Sequence, residues 1–266
     1  MLLKFKTIHG SSLVILMIDA HTHLDVRSFE DLEKMALCGI EKIITCAHNP
    51  YRMSVPEVYL DHWERLIRME TKRGSMTGID VKVTIGIHPM GYPKEWQRLI
   101  EEMPRYLEDK NVVGIGETGL HYLRGDEKNL LREQLKLAME YSVPVVIHTP
   151  EKNKGKALRE ILKILKEVEI EEDLVMIDHI NRDTVDLIDM DVYVGLTVQP
   201  MKISPEEAVE IIGNYDRRFI LSSDLGSLKS DIYALPRTKL LMKKSGLEKR
   251  KIVESTYKNA RDFYKL

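Results

Sequence analysis

Eight short runs of apolar residues, rich in valine and isoleucine, recur along this sequence and limit the folds it can adopt. Apolar and polar residues do not alternate within the runs, which is typical of parallel strands buried on both faces. Each run ends at a polar residue. The runs cover residues 13–23, 42–48, 81–88, 111–117, 143–148, 174–179, 192–197 and 219–224.

Amphipathic helical patterns lie between these runs, for example over residues 56–73, 94–109, 127–141 and 155–169, and residues 246–266 are predicted to form a final helix. The ends of successive runs are about 29 residues apart on average, close to the ~30 residues of a strand–helix–strand unit. The long interval from residue 48 to residue 88 leaves room for an extended helix and a loop at residues 74–80. The short interval from residue 179 to residue 197 leaves room only for a helical stub.

Eight such units predict an α/β protein with a (β/α)8, or TIM, barrel rather than an open doubly wound sheet. The sequence has no Pro/Gly/Ser-rich linker and no change of composition that would mark a second domain. We therefore expect one barrel domain over residues 17–266. Residues 1–16 are expected to be an N-terminal extension or the result of an upstream start codon, because the segment MIDAHTHLD, which begins at Met17, would make a natural start.

The composition excludes several classes of protein. A hydrophobic fraction of 43% with 31% charged residues excludes disordered and collagen-like chains. No apolar run approaches the ~18 residues of a membrane span, and the first residues lack the cleavage site of a signal peptide. Two cysteines, Cys38 and Cys46, fit a reducing cytoplasm. The net charge of −2 does not favour long-range attraction to polyanions, and no obligate protein partner is indicated.

The polar residues at the ends of the runs are the main indication of function. Six of the nine histidines lie there, together with two acids, and in a TIM barrel the ends of the strands meet in one mouth. Since residues two apart on a strand point the same way, His21 and His23 are expected to face the barrel axis. Asp19 either orients one of these ligands or packs below them.

This set of residues predicts a metal centre. The candidate ligands, all imidazoles or carboxylates, are His21, His23, Glu117, His148, His179 and Asp224. Without thiolates, the set suits Zn, Mn, Fe or Mg, and about six ligands favour two divalent ions that share Glu117. Two such ions are the arrangement used for hydrolysis, with Asp224 both binding metal and accepting a proton from water. The alternative for Asp224 is that it caps the next helix.

Several motifs in this sequence occur together in one known family. They are IDAHTHLD, TIGIHPM, GIGETGLHYL, PVVIHTP, LSSD and the closing STYKNARDFY. From about residue 17 to its end the chain resembles the TatD family of metal-dependent hydrolases, within the amidohydrolase superfamily. The resemblance implies that His21, His23 and Asp224 hold one metal ion, that His148 and His179 hold the other, and that Glu117 bridges them. It also implies that His88 faces the substrate, although a buried hydrogen-bonding role is an equal alternative.

The sequence departs from the family pattern beside the ligands rather than at them. Met90 replaces a second histidine, His121 replaces the usual aspartate, and Thr149 and Pro150 replace a segment that normally carries an arginine. The strand-6 histidine lies in DHINRD, and SSD replaces the usual Glu-Thr-Asp. Hydrolase chemistry is therefore better supported by the sequence than the nuclease activity attributed to the family.

The leading hypothesis is a dinuclear hydrolase that cleaves phosphodiesters, including nucleic-acid 3′ ends. The alternative keeps the fold and the metals but acts on a small cyclic amide, lactone or phosphoester. A non-catalytic barrel and a histidinol-phosphatase-like barrel are further alternatives; the latter needs residues for three ions, which the sequence does not offer.

Four cationic residues could replace the missing arginine or could simply be solvated. They are Lys152, Lys154, Lys156 and Arg124. His48 is expected to support a ligand or to lie in the substrate pocket.

Overall fold

The computed structural model describes residues 16–47 and 53–266. His48 and all of the expected N-terminal extension except Leu16 lie outside the described residues, so the predictions made for them stay predictions. Within the described ranges, no helix has an apolar stretch long enough to cross a membrane.

Eight parallel strands form one sheet in the order of the sequence, and each strand pairs with the next. The strands are β1 (Met17–Thr22), β2 (Ile40–Cys46), β3 (Asp80–Ile85), β4 (Val112–Gly119), β5 (Val145–His148), β6 (Val175–Ile177), β7 (Tyr193–Thr197) and β8 (Arg218–Ser222). The residues after β8 return to β1, where the Asp224 N–H donates to the His21 carbonyl at 2.8 Å. The predicted (β/α)8 barrel is confirmed.

Helices alternate with the strands around the barrel. They are α1 (Phe29–Leu37), α2 (Pro56–Arg65), α3 (Thr71–Thr77), α4 (Trp96–Leu107), α5 (Gly125–Glu140), α6 (Lys154–Val168), α7 (Pro205–Asn214), α8 (Ala234–Lys244), α9 (Lys249–Val253) and α10 (Asn259–Phe263). Between β6 and β7 the described chain has only a short 3-10 turn, Val185–Leu187, which confirms the predicted stub.

The loop predicted at residues 74–80 is wrong for its first half. The helical path continues from α2 through a π-helical segment, Leu66–Glu70, into α3 and ends at Gly78, which has a φ of +83°. Gly74, which suggested a loop, lies inside α3 against β3. A Cβ atom there would lie 2.2 Å from Val81 Cγ2, so the glycine permits the helix to pack closely on the strand.

Two apolar clusters fill the molecule on opposite faces of the sheet. Ile43 belongs to the larger cluster, between strands and helices, whereas its neighbour Ile44 belongs to the smaller one. Since successive strand residues point to opposite faces, the smaller cluster fills the barrel interior. Phe263 and Tyr264 close this interior from below, and the Tyr264 hydroxyl donates to the Ala20 carbonyl at 2.9 Å.

Candidate metal centre

The six residues predicted to bind metal lie together at the carboxyl-terminal end of the barrel. His21 and Glu117 are part of β1 and β4, and His148 is the last residue of β5. The other three, which follow β1, β6 and β8, are His23, His179 and Asp224. The predicted runs that end at these three residues therefore extend one or two residues past the observed strands, because strand pairing stops before the chain turns into the barrel mouth.

One group of donors forms around a single oxygen of Glu117. Its Oε2 lies 3.3 Å from Nε2 of His21 and 3.4 Å from Nε2 of His23. The two imidazole nitrogens are 3.2 Å apart, and Asp224 Oδ1 lies 2.9 Å from Nε2 of His23. Four donor atoms from three separate parts of the chain thus face one small volume.

A second group forms around the other oxygen of Glu117. Its Oε1 lies 3.3 Å from Nδ1 of His148 and 3.2 Å from Nε2 of His179. The carboxylate of Glu117 is buried between the two groups. Each of its oxygens therefore faces a different set of imidazoles.

The backbone at two of these residues has an unusual conformation. His179 has a φ of 62° and Asp224 a φ of 47°, both in the left-handed region, which costs roughly 1–2 kcal/mol for a residue with a side chain. Hydrogen bonds hold both peptides: the His179 N–H donates to Asp178 Oδ1 at 2.7 Å, and the Asp224 N–H donates to the His21 carbonyl. The fold thus fixes the direction in which these side chains enter the barrel mouth.

The electrostatic environment of the cluster favours positive charge. Burial alone would lower the pKa of His23, but hydrogen bonds to Asp224 and Glu117 raise it to about 10. Burial would likewise raise the pKa of Glu117, yet the surrounding histidines hold it well below its usual range. The carboxylates therefore stay ionised in a buried site because the positive charge of the imidazoles compensates them, and a bound cation would give the same compensation.

The donor set fits divalent metal ions. Among the described residues, three groups each offer three donor atoms that lie within 4.8 Å of one another: His21 with Glu117 and His179, His21 with His23 and Asp224, and His88 with Glu117 and His148. Imidazole nitrogens with carboxylate oxygens are typical ligands of zinc, manganese and iron. The cluster is also buried, so that water competes little for these ligands.

His88 lies beside this cluster. It is buried, and its ring centre is 4.6 Å from that of His148. The Met90 N–H donates to His88 Nδ1 at 3.2 Å. His88 also lines the pocket above the cluster, so its geometry is compatible with a substrate contact as well as with a buried hydrogen-bonding role.

Asp178 is a buried residue of this site that the sequence reasoning missed. Its Oδ2 accepts a hydrogen bond from Nδ1 of His21 at 2.5 Å, and its Oδ1 accepts from the Thr197 hydroxyl at 3.0 Å. The available signal was its position directly before His179, at the end of a strand. In the neutral form of His21, the form that can bind a metal ion, this contact keeps the proton on Nδ1 and leaves Nε2 unprotonated toward Glu117.

Lys202 and Gln199, in the loop after β7, are two further site residues that the sequence did not single out. Nζ of Lys202 lies 2.6 Å from Asp224 Oδ2, and Gln199 Nε2 donates to the same oxygen at 2.9 Å. Lys202 also lies 2.9 Å from Nε2 of His179, whose pKa is lowered to about 4 by burial and by this lysine. No periodicity marks these loop residues.

The sequence left two roles open for Asp19 and two for Asp224, and the contacts of each residue distinguish them. Asp19 packs below the site, where it accepts hydrogen bonds from the N–H of Ser223 at 3.0 Å and from its hydroxyl at 2.5 Å. It therefore holds the residue before Asp224, and its carboxylate also interacts with the backbone of His21. The helix-cap interpretation of Asp224 is wrong, because α8 begins only at Ala234.

The cationic residues proposed to replace the missing arginine differ in their surroundings. Lys152 and Lys156 are exposed. Lys154 is buried, contrary to both interpretations of it, and its ammonium donates to the His179 carbonyl at 2.8 Å. Arg124 stacks its guanidinium on a neighbouring tyrosine ring. Lys154 therefore supports the fold beneath the site and does not face the substrate.

A pocket of about 290 Å³ opens above the donor cluster. Its apolar wall includes Met90, Met201 and Leu228, and the last two side chains are largely exposed. Pockets for small molecules usually begin at about 300 Å³. This one therefore suits a small ester or the end of a chain rather than a folded macromolecule.

The sequence of this chain is similar to a protein family and to several related proteins. Residues 18–265 match the family described as TatD related DNase. The chain is 72% identical over 251 residues to an uncharacterized metal-dependent hydrolase of Methanocaldococcus jannaschii, covering 94% of this chain and all of that protein. It is 30% identical over 145 residues to the uncharacterized metal-dependent hydrolase YjjV of Escherichia coli, covering half of each chain.

Solved structures share the fold. A TatD-like protein from Archaeoglobus fulgidus has a TM-score of 0.80 and 30% identity, covering 94% of this chain and all of that one. The phosphotriesterase homology protein of Escherichia coli, solved with phosphate in its active site, has a TM-score of 0.71. At 16% identity, covering 94% of this chain and 99% of that one, this second likeness concerns the fold alone.

Proposed function

Since this chain belongs to the TatD family of metal-dependent hydrolases, we propose that it holds two divalent cations and uses them to cleave phosphodiester bonds. The family expected from the motifs is confirmed, and with it the assignment as a metal-dependent hydrolase. Family membership does not give the number of cations or the phosphodiester substrate, and both are proposed here.

The arrangement around Glu117 is the observation that carries the proposal. Its Oε2 faces His21 and His23, while its Oε1 faces His148 and His179. The first group, completed by Asp224, would hold one cation and the second group the other. A carboxylate that serves two cations accounts for the burial of one acid among four imidazoles.

When bound, two divalent cations supply an ionised water molecule near neutral pH and offset the negative charge that develops on the reacting group. Asp224 is positioned to accept the proton from water. Burial would raise the pKa of Asp224, but Lys202 and His23 hold it well below its usual range, so this carboxylate is ionised at neutral pH. His88, at the pocket wall, is placed to orient the substrate by hydrogen bonding.

The charge of the pocket supports an anionic substrate. The acids that line it are Glu117, Glu151 and Asp224, and Lys202 lies among them. Two divalent cations together with Lys202 would exceed the charge of these three carboxylates, so a loaded pocket attracts an anion. Its size supports a single phosphodiester unit at a chain end or a small ester.

A specific observation also favours the second candidate function, which is hydrolysis of a small cyclic amide, lactone or phosphoester. The pocket wall formed by Met90, Met201 and Leu228 is apolar, and the segment after β5 carries Thr149 and Pro150 where the family pattern has an arginine. An apolar wall without that arginine suits a compact ring better than a nucleotide.

The proposal also places the enzyme in a reducing compartment such as the cytoplasm, since Cys38 and Cys46 are both free thiols.

A substrate panel tests the proposal. The purified protein, loaded with Zn²⁺ or Mn²⁺, is assayed on single-stranded DNA, bis-p-nitrophenyl phosphate, lactones and hydantoins, with and without a chelator. We expect turnover of the phosphodiesters, lost on chelation and reduced about 10²–10⁴-fold in Asp224→Ala, as for loss of a general base. Asp216→Ala, at a 93% exposed side chain, is the control.

Two results would decide against it. Activity that survives both the chelator and Asp224→Ala would refute the mechanism. Turnover of lactones or hydantoins without any turnover of phosphodiesters would replace the leading function by the second candidate.

A further inference from the structure

His121 lies beside the second group of donors in the proposed centre. Its Nδ1 is 3.1 Å from Nε2 of His148, and the two rings are nearly parallel, with an interplanar angle of 25°. His121 is partly buried and lines the pocket. The TatD-like motif pattern usually has an aspartate at this position, so the family pattern does not assign a role to this histidine.

With a cation bound as proposed, the contacts of His148 assign the proton of each ring to one nitrogen. Its Nδ1 faces Oε1 of Glu117 at 3.3 Å, on the side of the donor cluster. A ligand nitrogen must be unprotonated, so the proton of neutral His148 is on Nε2. That nitrogen then donates to Nδ1 of His121, whose own proton is left on Nε2.

The backbone around His121 is held firmly by one buried acid. The Glu127 carboxylate accepts hydrogen bonds from the N–H groups of His121 at 2.8 Å, Tyr122 at 2.9 Å and Leu123 at 3.0 Å. The Tyr122 ring also packs edge-on against the His121 ring at 4.6 Å between centres. The imidazole is therefore placed by the fold and does not belong to a loosely held loop.

We propose that the two nitrogens of His121 have two separate roles in the proposed hydrolase. Nδ1 positions His148 by accepting its Nε2 proton, which fixes the orientation of that ligand. Nε2–H is a neutral hydrogen-bond donor at the pocket wall and contacts an oxygen of an anionic substrate. An aspartate at this position would accept from His148 but would repel the same oxygen. The inference rests on the proposed function and assigns it a substrate-binding donor.

Two isosteric substitutions separate the roles. His121→Asn keeps an acceptor near the position of Nδ1 and has no atom at Nε2. His121→Gln keeps a donor near the position of Nε2 and has no acceptor near Nδ1. The two variants serve as controls for each other, because both remove the ring and keep a neutral amide.

The experiment measures two quantities on the full chain loaded with Zn²⁺. The first is the affinity for Zn²⁺, by competition with a chromogenic chelator, and it needs no turnover. The second is the KM for bis-p-nitrophenyl phosphate. We expect His121→Gln to bind its weaker Zn²⁺ about tenfold less tightly, as for loss of a ligand's outer hydrogen-bond partner. We expect His121→Asn to retain Zn²⁺ and to raise KM about fivefold, as for one lost hydrogen bond.

Zn²⁺ affinity in His121→Gln equal to that of the wild type would overturn the positioning role. An unchanged KM in His121→Asn would overturn the donor role. If no substrate in the panel is turned over, the proposed function fails, while the Zn²⁺ measurement still decides whether His121 positions His148. Circular dichroism of both variants checks that they fold, and a loss of Zn²⁺ that is equal in the two would contradict the division of roles.

Discussion

Oδ2 of Asp178 lies 2.5 Å from Nδ1 of His21, and both side chains are fully buried. The other oxygen of Asp178 accepts from the Thr197 hydroxyl and from the His179 N–H. This one carboxylate therefore fixes the ring orientation of His21, a proposed ligand in the first donor group, and the backbone of His179, a proposed ligand in the second. Such an outer partner orients a metal-binding histidine and makes it more basic.

Asp178→Asn is expected to weaken metal binding about 10–100-fold, because the amide lacks the charge that makes His21 basic. Competition titration against a fluorescent chelator measures this affinity. Asp216→Asn, far more exposed, should bind metal as the wild type does. Equal affinities in the two variants would show that Asp178 has only a packing role.

Gly195 on β7 provides the space that Asp178 occupies. A Cβ atom at this glycine would lie 2.2 Å from Asp178 Oδ1 and 3.0 Å from Asp178 Cα. Gly195→Ala should therefore destabilise the fold by about 1–3 kcal/mol, as overpacking does, and also weaken metal binding. Urea unfolding measures the first effect. Gly125→Ala is the matched control, since nothing lies within 4 Å of its Cβ position, and it should neither destabilise the fold nor weaken metal binding.

Lys202 is predicted to bind the negative charge of the substrate. Its ammonium lies 2.6 Å from Asp224 Oδ2 at the pocket wall. Lys202→Gln should weaken inhibition by inorganic phosphate about tenfold or more, the range for a lost charged hydrogen bond. Lys152→Gln removes an exposed lysine of the loop after β5 and should have no such effect. Equal phosphate inhibition in wild type and Lys202→Gln would contradict the prediction.

Lys154 is predicted to affect stability rather than substrate binding. Its ammonium donates to the His179 carbonyl and the Thr149 hydroxyl, and burial lowers its pKa to about 8 from the ordinary 10.5. Lys154→Met should lower the free energy of unfolding by about 1–3 kcal/mol at pH 7.5, because two acceptors lose their donor. Lys156→Met, at an exposed lysine, is the control.

The pH dependence of this effect has a definite sign. Between pH 8 and pH 10.5 the unfolded chain binds more protons at Lys154 than the folded chain, so this group makes stability rise with pH in that window. Lys154→Met lacks this contribution. The difference in unfolding free energy between wild type and variant should therefore be larger at pH 9.5 than at pH 7.5, and a smaller difference would mean that the folded pKa is not lowered.

The sequence predicted the barrel and the six candidate ligands because both depend on one regular pattern. Each buried parallel strand is an apolar run, and the barrel brings the polar ends of all runs to one mouth. His21, His148 and Glu117 could be recognised as candidate metal ligands from this pattern, without knowledge of any contact. The short interval before β7 likewise predicted the helical stub found at Val185–Leu187.

The remaining residues could not be predicted because their roles depend on contacts between distant parts of the chain. Lys202 lies in a loop, where no periodicity indicates which direction a side chain takes. Lys154 belongs to a polar segment whose residues look solvated, yet the start of α6 places it under His179. Gly74 suggested a loop because glycine disfavours helices, whereas close packing against Val81 outweighs that preference.

If Glu117 serves two cations at once, each chain binds two ions, and these ions can be counted. Inductively coupled plasma mass spectrometry of the purified wild type, dialysed against Zn²⁺ and then against metal-free buffer, should give two ions per chain. Glu117→Gln should retain one ion or none, since the amide cannot bind as an anion between the two donor groups. One ion per chain in the wild type, or two in Glu117→Gln, would show that Glu117 is not shared by two cations.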